Sequence, residues 1–434
     1  MRINLYQISI FLSKISLLWR FCFFCYIFLI KKGMLKVSQK AWNKIFNVEL
    51  IIGIVWIVLF SFHPERSFPI YLPVINWVFL AILVVLLILS TVRKKNRHIQ
   101  TTISVLSALA LPFTFNKLIQ GIVTSLNTIF ASWAPFFSIV GCLALLLVSI
   151  PMVKASLPAV KNWILRLIVV EGLGLSQLAP ALKFYCAPKY VSELLESGLI
   201  NALAMFILAF FIFKAWGLKF EWNLKFIKTK NFQWWALVLL LLFSAYFPFF
   251  NVFLGIAQTP VQIFNWDFST FEVTLTGFLS AVEAGIMEET QRCLDIVVLL
   301  FVFRNFKGKV VWATVISSLL FSLDHLTNLG STQFGVLYNL TKVEQQMIYT
   351  FGFGMLAAVL YLYTGKLWLS MLVHFGLDFI VFSETPLTVS ISPFFDNWAC
   401  AFIVMAASSL VAIFMLLGKR CKFMDDNADR IMKM

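Results

Sequence analysis

The chain has 434 residues, of which 61% are hydrophobic and 13% charged, with 47 Phe and a mean hydropathy of +0.89, a mix that excludes a single water-soluble core and indicates a polytopic membrane protein. Its formal net charge is +15, but Lys and Arg fall mostly in short connectors between apolar runs, so the basic excess reports loop topology and no nucleic-acid partner is expected. The cysteines Cys22, Cys25, Cys142, Cys186, Cys293, Cys400 and Cys421 are odd in number and mostly inside apolar runs, which excludes a disulfide framework or a zinc ribbon. Cys22-x-x-Cys25 lies in FCFFCYIF without a βαβ context and reads as helix surface.

Residues 1–46 form an N-terminal apolar and basic segment, expected to be an extra span or an uncleaved anchor, with initiation at Met34 as an alternative. A transmembrane helix needs roughly 20 mainly apolar residues. Spans are expected near 47–62, 70–92, 99–117, 133–153, 163–183, 199–217, 235–256, 272–303, 311–327, 347–363, 366–384 and 396–418. The fold class is therefore an all-α polytopic transmembrane bundle of about 12 spans. The clusters Lys36/Lys40/Lys44, Arg93/Lys94/Lys95/Arg97, Lys154/Lys161/Arg166, Lys214/Lys219/Lys225/Lys228/Lys230, Arg304/Lys307/Lys309 and Lys419/Arg420/Lys422 are separated by even numbers of these spans. All of them can then face the cytoplasm together. Residues 47–256 are bland N-terminal helices, 257–390 hold the polar core, and 391–434 are a last span and a basic tail.

The polar core starts with IMEETQRCLD, residues 286–295. A charge at the bilayer centre costs about 2.5–3.5 kcal/mol on insertion scales, so a run of them needs a compensating structure. On a helix, residues three and four apart share a face, which puts Arg292 beside Glu288 or Glu289 and continues that face to Asp295. One arginine cannot neutralise three carboxylates. At least one acid is left for a proton, a distant partner or a reaction.

Only four histidines are present. His63 in SFHPERS and His98 in RKKNRH suit solvated positions, whereas His325 in LLFSLDHLTN and His374 in SMLVHFGLDF belong to apolar segments. Asn328 lies one turn after His325, and Asp378 lies four residues after His374, a spacing that orients an imidazole. Unpaired polar groups are penalised in lipid, so the economical arrangement is one cavity shared by Glu288, Glu289, Arg292, His325, His374 and Asp378. A carboxylate with two imidazoles suits activation of water against a peptide carbonyl. Glu288, His325 and His374 also suit zinc or another divalent metal with an open water position, and the residue types leave the metal-free and metal-bound versions both open.

These segments together, Glu288-Glu289-Thr290-Gln291-Arg292, then Phe321-Ser322-Leu323-Asp324-His325, then His374-Phe375-Gly376-Leu377-Asp378, resemble the motifs of the CPBP family, the CAAX proteases and bacteriocin-processing enzymes also called Abi. The family is related to the type II CAAX prenyl endopeptidase, and the resemblance covers roughly residues 270–385. It implies that Glu288 activates water, that Glu289 and Arg292 support it, and that His325, His374 and Asp378 supply the remaining catalytic or metal-binding groups. It also implies a bacterial plasma-membrane protein acting on a membrane-associated or short peptide, such as a bacteriocin or signal-peptide precursor. Arg292 departs from the family pattern E-E-x-x-x-R by one residue, about 100° around a helix, and Asp378 stands where Asn is commoner.

Other chemistries fit less well. No H-E-x-x-H is present, and Gly174-Leu175-Ser176 has the bare shape of a serine-protease motif without its small-residue context. Glu171 is an intramembrane acid with no partner in view. A secondary transporter would show matching polar clusters in its two halves, and none is visible; a non-catalytic scaffold for immunity or regulation is the other alternative, suggested by the shortened Glu–Arg spacing. Glu283 and Asp295 read as structural polar residues or cavity lining, and Asp324 as a helix-end group. Partners are expected to be a peptide or membrane-protein substrate and the lipid bilayer, and no feature of the sequence fixes an oligomeric state.

Overall fold

The computed structural model describes residues 38–61, 73–92, 96–177, 182–218, 220, 222–223, 230–257, 259–269, 271–333, 336–384 and 397–433. The expected N-terminal span, Cys22-x-x-Cys25, Met34, His63 and the Arg93–Lys95 cluster lie outside the described residues. The helices are α1 Gln39–Ser61, α2 Pro73–Val92, α3 Arg97–Ile129, α4 Ala134–Leu147, α5 Ile150–Ser156, α6 Trp163–Gln177, α7 Lys189–Glu196 and α8 Leu199–Ala215. They continue as α9 Trp234–Ile256, α10 Leu275–Val302, α11 Lys309–Asp324, α12 Leu340–Thr364, α13 Leu367–Ser383, α14 Asn397–Met415 and α15 Gly418–Lys433. Two two-residue strands, β1 Thr332–Gln333 and β2 Val336–Leu337, pair antiparallel with Thr332 opposite Leu337.

Each expected span falls on a helix, and the residues at its ends explain several of the boundaries. Asn96 caps α3 by accepting from the His98 and Ile99 amides, Thr274 caps α10 through the Gly277 amide, and Asn339 caps α12 through the Lys342 amide. α12 ends at Gly365, whose φ of +66° places it in the left-handed region that a side chain would disfavour. The largest change is in α3, which runs on to Ile129 through Pro112. The expected tail after Gly418 forms α15, held by Asn427 donating to the Leu362 carbonyl and by an ion pair between Lys309 and Asp429.

Six helical segments among the described residues are long and apolar enough to cross a membrane, or seven if the bent pair α7 and α8 is one span. The gap from about 12 spans has identifiable causes. α10 carries too much charge to score as apolar, α13 has 17 residues, and α6 has 15 with Arg166 and Glu171 among them. Large apolar side chains nevertheless cover the outside, Leu242 being 62% exposed and Leu410 66%. Such a belt is unfavourable in water and natural in lipid.

α10 sits at the centre, packed against α6, α8, α11 and α13, while α12 packs on α11 and α14. Its residues from Glu289 to Leu300 are all buried. The segment leading into α10 is tied back to the end of α13 by a bridge between Phe271 and Glu384 and by the Glu272 amide donating to the Ser383 carbonyl. The central helix is therefore the one that carries the charges, and its neighbours decide what those charges meet.

Candidate active site

Close contact of α10 with α13 builds the first part of the site. A Cβ on Gly285 would lie 2.7 Å from the Met371 carbonyl oxygen and 3.1 Å from the Phe375 amide nitrogen, so the missing side chain lets the two backbones approach. One turn further along, Glu289 meets His374. The imidazole Nδ1 lies 2.8 Å from Glu289 Oε1, and because a carboxylate only accepts, Nδ1 is the donor.

Arg292 closes the other side of Glu289. Its Nε donates to both carboxylate oxygens at 3.1 Å, and Nη2 lies 3.1 Å from Oε1. Both side chains are about as buried as side chains become, at 1% exposure. The guanidinium stacks on Phe321, 3.7 Å from the ring centroid, a cation–π contact that supports the charge without water. Arg292 thus pairs with Glu289 at the shortened spacing through Nε, while Nη1 and Nη2 are buried without a hydrogen-bond partner: an arginine three residues on reaches the same carboxylate face.

His374 Nε2 points to the open part of the site. It lies 3.5 Å from Glu288 Oε2 and 3.5 Å from Asp378 Oδ2, wider than a hydrogen bond of about 2.8 Å. Glu288 keeps 27% of its side chain exposed, and its Oε2 has no hydrogen-bond partner. Edge-on contacts with Phe353 at 4.8 Å and Phe321 at 6.0 Å fix the plane of the ring.

His325 comes from the end of α11. Its Nδ1 donates to the Phe321 carbonyl at 2.8 Å, which leaves Nε2 as the free ring nitrogen, and Phe321 packs edge-on against the ring at 4.9 Å. Asn328, the neighbour expected from spacing, instead donates to Gln346. The structure therefore joins Glu288, Glu289, Arg292, His374 and Asp378 directly, while His325 approaches through the shared ring of Phe321 and interacts electrostatically with His374.

Three further features surround these residues. Glu283 is half-buried within electrostatic range of Glu288, Asp378 and His374. Tyr349 lies within electrostatic range of Asp378 and Glu288. Gln291 donates to Glu171 Oε2 at 3.1 Å and to Asp324 Oδ2 at 2.9 Å. Glu171 thereby gains the partner its sequence context did not reveal.

A metal was the open question for Glu288, His325 and His374. Among the described residues no group of three or more His, Cys, Asp or Glu is arranged to hold a metal ion. Each histidine commits Nδ1 elsewhere, to Glu289 in one case and to its own helix in the other, which leaves Nε2 of both rings without a short bond and is also how a metal-binding imidazole is oriented. No step is routed through a metal.

Residues 270–380 match the family described as type II CAAX prenyl endopeptidase Rce1-like. The matched segment runs from the lead into α10 almost to the end of α13 and contains every residue of the site. No curated protein and no solved structure matches the chain.

Proposed function

From the match of residues 270–380 to the type II CAAX prenyl endopeptidase Rce1-like family, we propose that the protein is an intramembrane endopeptidase of the CPBP/CAAX protease family that hydrolyses a membrane-associated or short peptide by glutamate-activated water. The observation that carries this reading is the placement of His374 Nε2 between Glu288 and Asp378 while Glu289 holds Nδ1. One imidazole nitrogen is locked and the other is offered to the cavity.

Glu288 is the general base. It takes a proton from water as the water oxygen bonds to the scissile carbonyl carbon, and it returns that proton to the amide nitrogen as the C–N bond breaks. With a proton on Nε2, His374 donates to the oxyanion of the tetrahedral intermediate. Asp378 and Glu289 keep the ring in position, and Arg292 balances the charge of Glu289. His325 presents its free Nε2 from the facing helix. The roles of His325 and Asp378 follow the family motif; Glu288 and His374 have the geometry as well.

The substrate class proposed is a bacteriocin, signal-peptide or other short precursor at the plasma membrane of a bacterium, with the basic loops cytoplasmic. The test is cleavage of a quenched peptide library by the purified protein in detergent, with products identified by mass. Internal cleavage that survives exhaustive chelation supports a metal-free endopeptidase, whereas activity lost on chelation and restored by zinc would replace it with a metal mechanism. Solute counterflow in liposomes without any cleavage would make it a transporter, and retained physiological activity in a cleavage-dead variant would make it a scaffold.

A further inference from the structure

The side of α10 turned toward α6 and α11 carries a second buried polar network that the cleavage chemistry does not use. Gln291 is 4% exposed, and its single amide nitrogen spends both hydrogens on carboxylates, one on Glu171 of α6 and one on Asp324, the last residue of α11. Asp295, one turn further along α10, lies within electrostatic range of Glu171 and Asp324. α6 lies flush against this point: a Cβ on Gly174 would fall 2.1 Å from Gln291 Oε1, so any side chain there would displace the Gln291 amide.

Asp324 immediately precedes His325. Its carbonyl accepts from the Thr327 hydroxyl at 2.7 Å, starting the short 3-10 turn His325–Asn328 in which α11 ends. The side chain of Asp324 is therefore the anchor of the helix end, and Gln291 is what the anchor holds. Among side chains of this length only glutamine supplies two donors on one uncharged nitrogen. Glutamate would bring a fourth acid to Glu171, Asp295 and Asp324, and methionine would leave two carboxylate oxygens without their donor.

We propose that Gln291 is a positioning residue: by clamping Asp324 to Glu171 it sets the direction of His325 and makes the cavity depend on α6, a helix outside the family-matched segment. The proposal rests on the endopeptidase reading for its effect on rate, and on geometry alone for its effect on His325. The isosteric Gln291→Met removes both donors, and Glu171→Gln keeps an acceptor oxygen at the same place.

The experiment uses full-length protein in lipid nanodiscs, labelled with 15N-histidine. Four histidines give few ring signals, and His325 is assigned by its loss in a His325→Asn sample. Gln291→Met is expected to move the His325 ring signals and leave those of His98 unchanged. It is also expected to lower kcat about 100-fold with KM within about twofold, as a displaced group of this kind does. Glu171→Gln is expected to keep both His325 signals and kcat near wild type, whereas Glu171→Leu follows Gln291→Met.

His325 signals unmoved in Gln291→Met would overturn the proposal, even if the variant were less stable or slower. So would a loss of kcat equal in Glu171→Gln and Glu171→Leu. If the wild type cleaves no peptide, the endopeptidase reading falls by itself, and the histidine spectrum still decides the role of Gln291.

Discussion

The two sides of α10 solve the same problem differently. Toward α13, one carboxylate, Glu289, is surrounded: Arg292 reaches both of its oxygens and His374 adds a third donor. Toward α6 and α11, among the described residues, no cation hydrogen-bonds to the acids; Glu171 and Asp324 share the one neutral amide of Gln291, and Asp295 lies within electrostatic range of both. A charged network tolerates burial only when each member is matched, since the cost of desolvation exceeds what a partial pairing returns. The ion-paired side can hold an imidazole rigidly while leaving Glu288 open. The amide-clamped side is suited to fastening a helix end, and it has no comparable open base beside an imidazole.

That contrast can be broken residue by residue. The largest effect is expected on the α13 side from His374→Gln, which removes the proposed oxyanion donor: kcat should fall by about 10²–10³, measured on the best peptide of the library, with KM little changed. Arg292→Leu comes next. It leaves Glu289 as a buried charge without its cation and should cost about 3–5 kcal/mol of stability, read as a fall in the thermal midpoint in detergent, together with most of the activity. If Arg292→Leu is as stable as wild type, the pair is not the matched network described here.

Gly285→Val tests the approach of α10 to α13 without touching an ionisable group. Its new side chain must push back the α13 backbone around Met371, an overpacking that costs about 1–3 kcal/mol, and the separation of Glu289 from His374 should lower kcat about tenfold or more. The smallest effect is expected from chelation, which should leave the rate within about twofold, because among the described residues no group of three or more His, Cys, Asp or Glu is arranged to hold a metal ion.

Much of the α13 side was legible in the sequence. The i, i+3 and i+4 spacings in EETQR and in HFGLD are local, and local spacing survives the move from sequence to helix. Arg292 shows where angular reasoning is too rigid: a shift of about 100° at the backbone is absorbed by a long side chain that still finds Glu289. His325 shows the opposite error, since its one-turn neighbour Asn328 turned to Gln346 and the imidazole turned back on its own helix. The network toward α6 was not legible, because Glu171 and Gln291 are 120 residues apart and a glutamine inside a motif looks like filler. Only Glu171 left a trace, as an acid with no local reason to be there. The spans were legible as helices, but their number as crossings was not: α6, α10 and α13, expected as spans, are too short or too charged to pass as long apolar helices in the structure, and together with α11 they build the two networks.

The central claim, that Glu288 activates water, is tested most directly by comparing Glu288→Gln with Glu288→Asp in single-turnover cleavage of one defined peptide. The glutamine variant keeps size and polarity but cannot accept a proton, so its rate should fall by about 10³ or more, while the aspartate variant, a base drawn back by one methylene, should retain measurable cleavage, about 10²-fold down. Cleavage by Glu288→Gln at a rate near wild type would contradict the account.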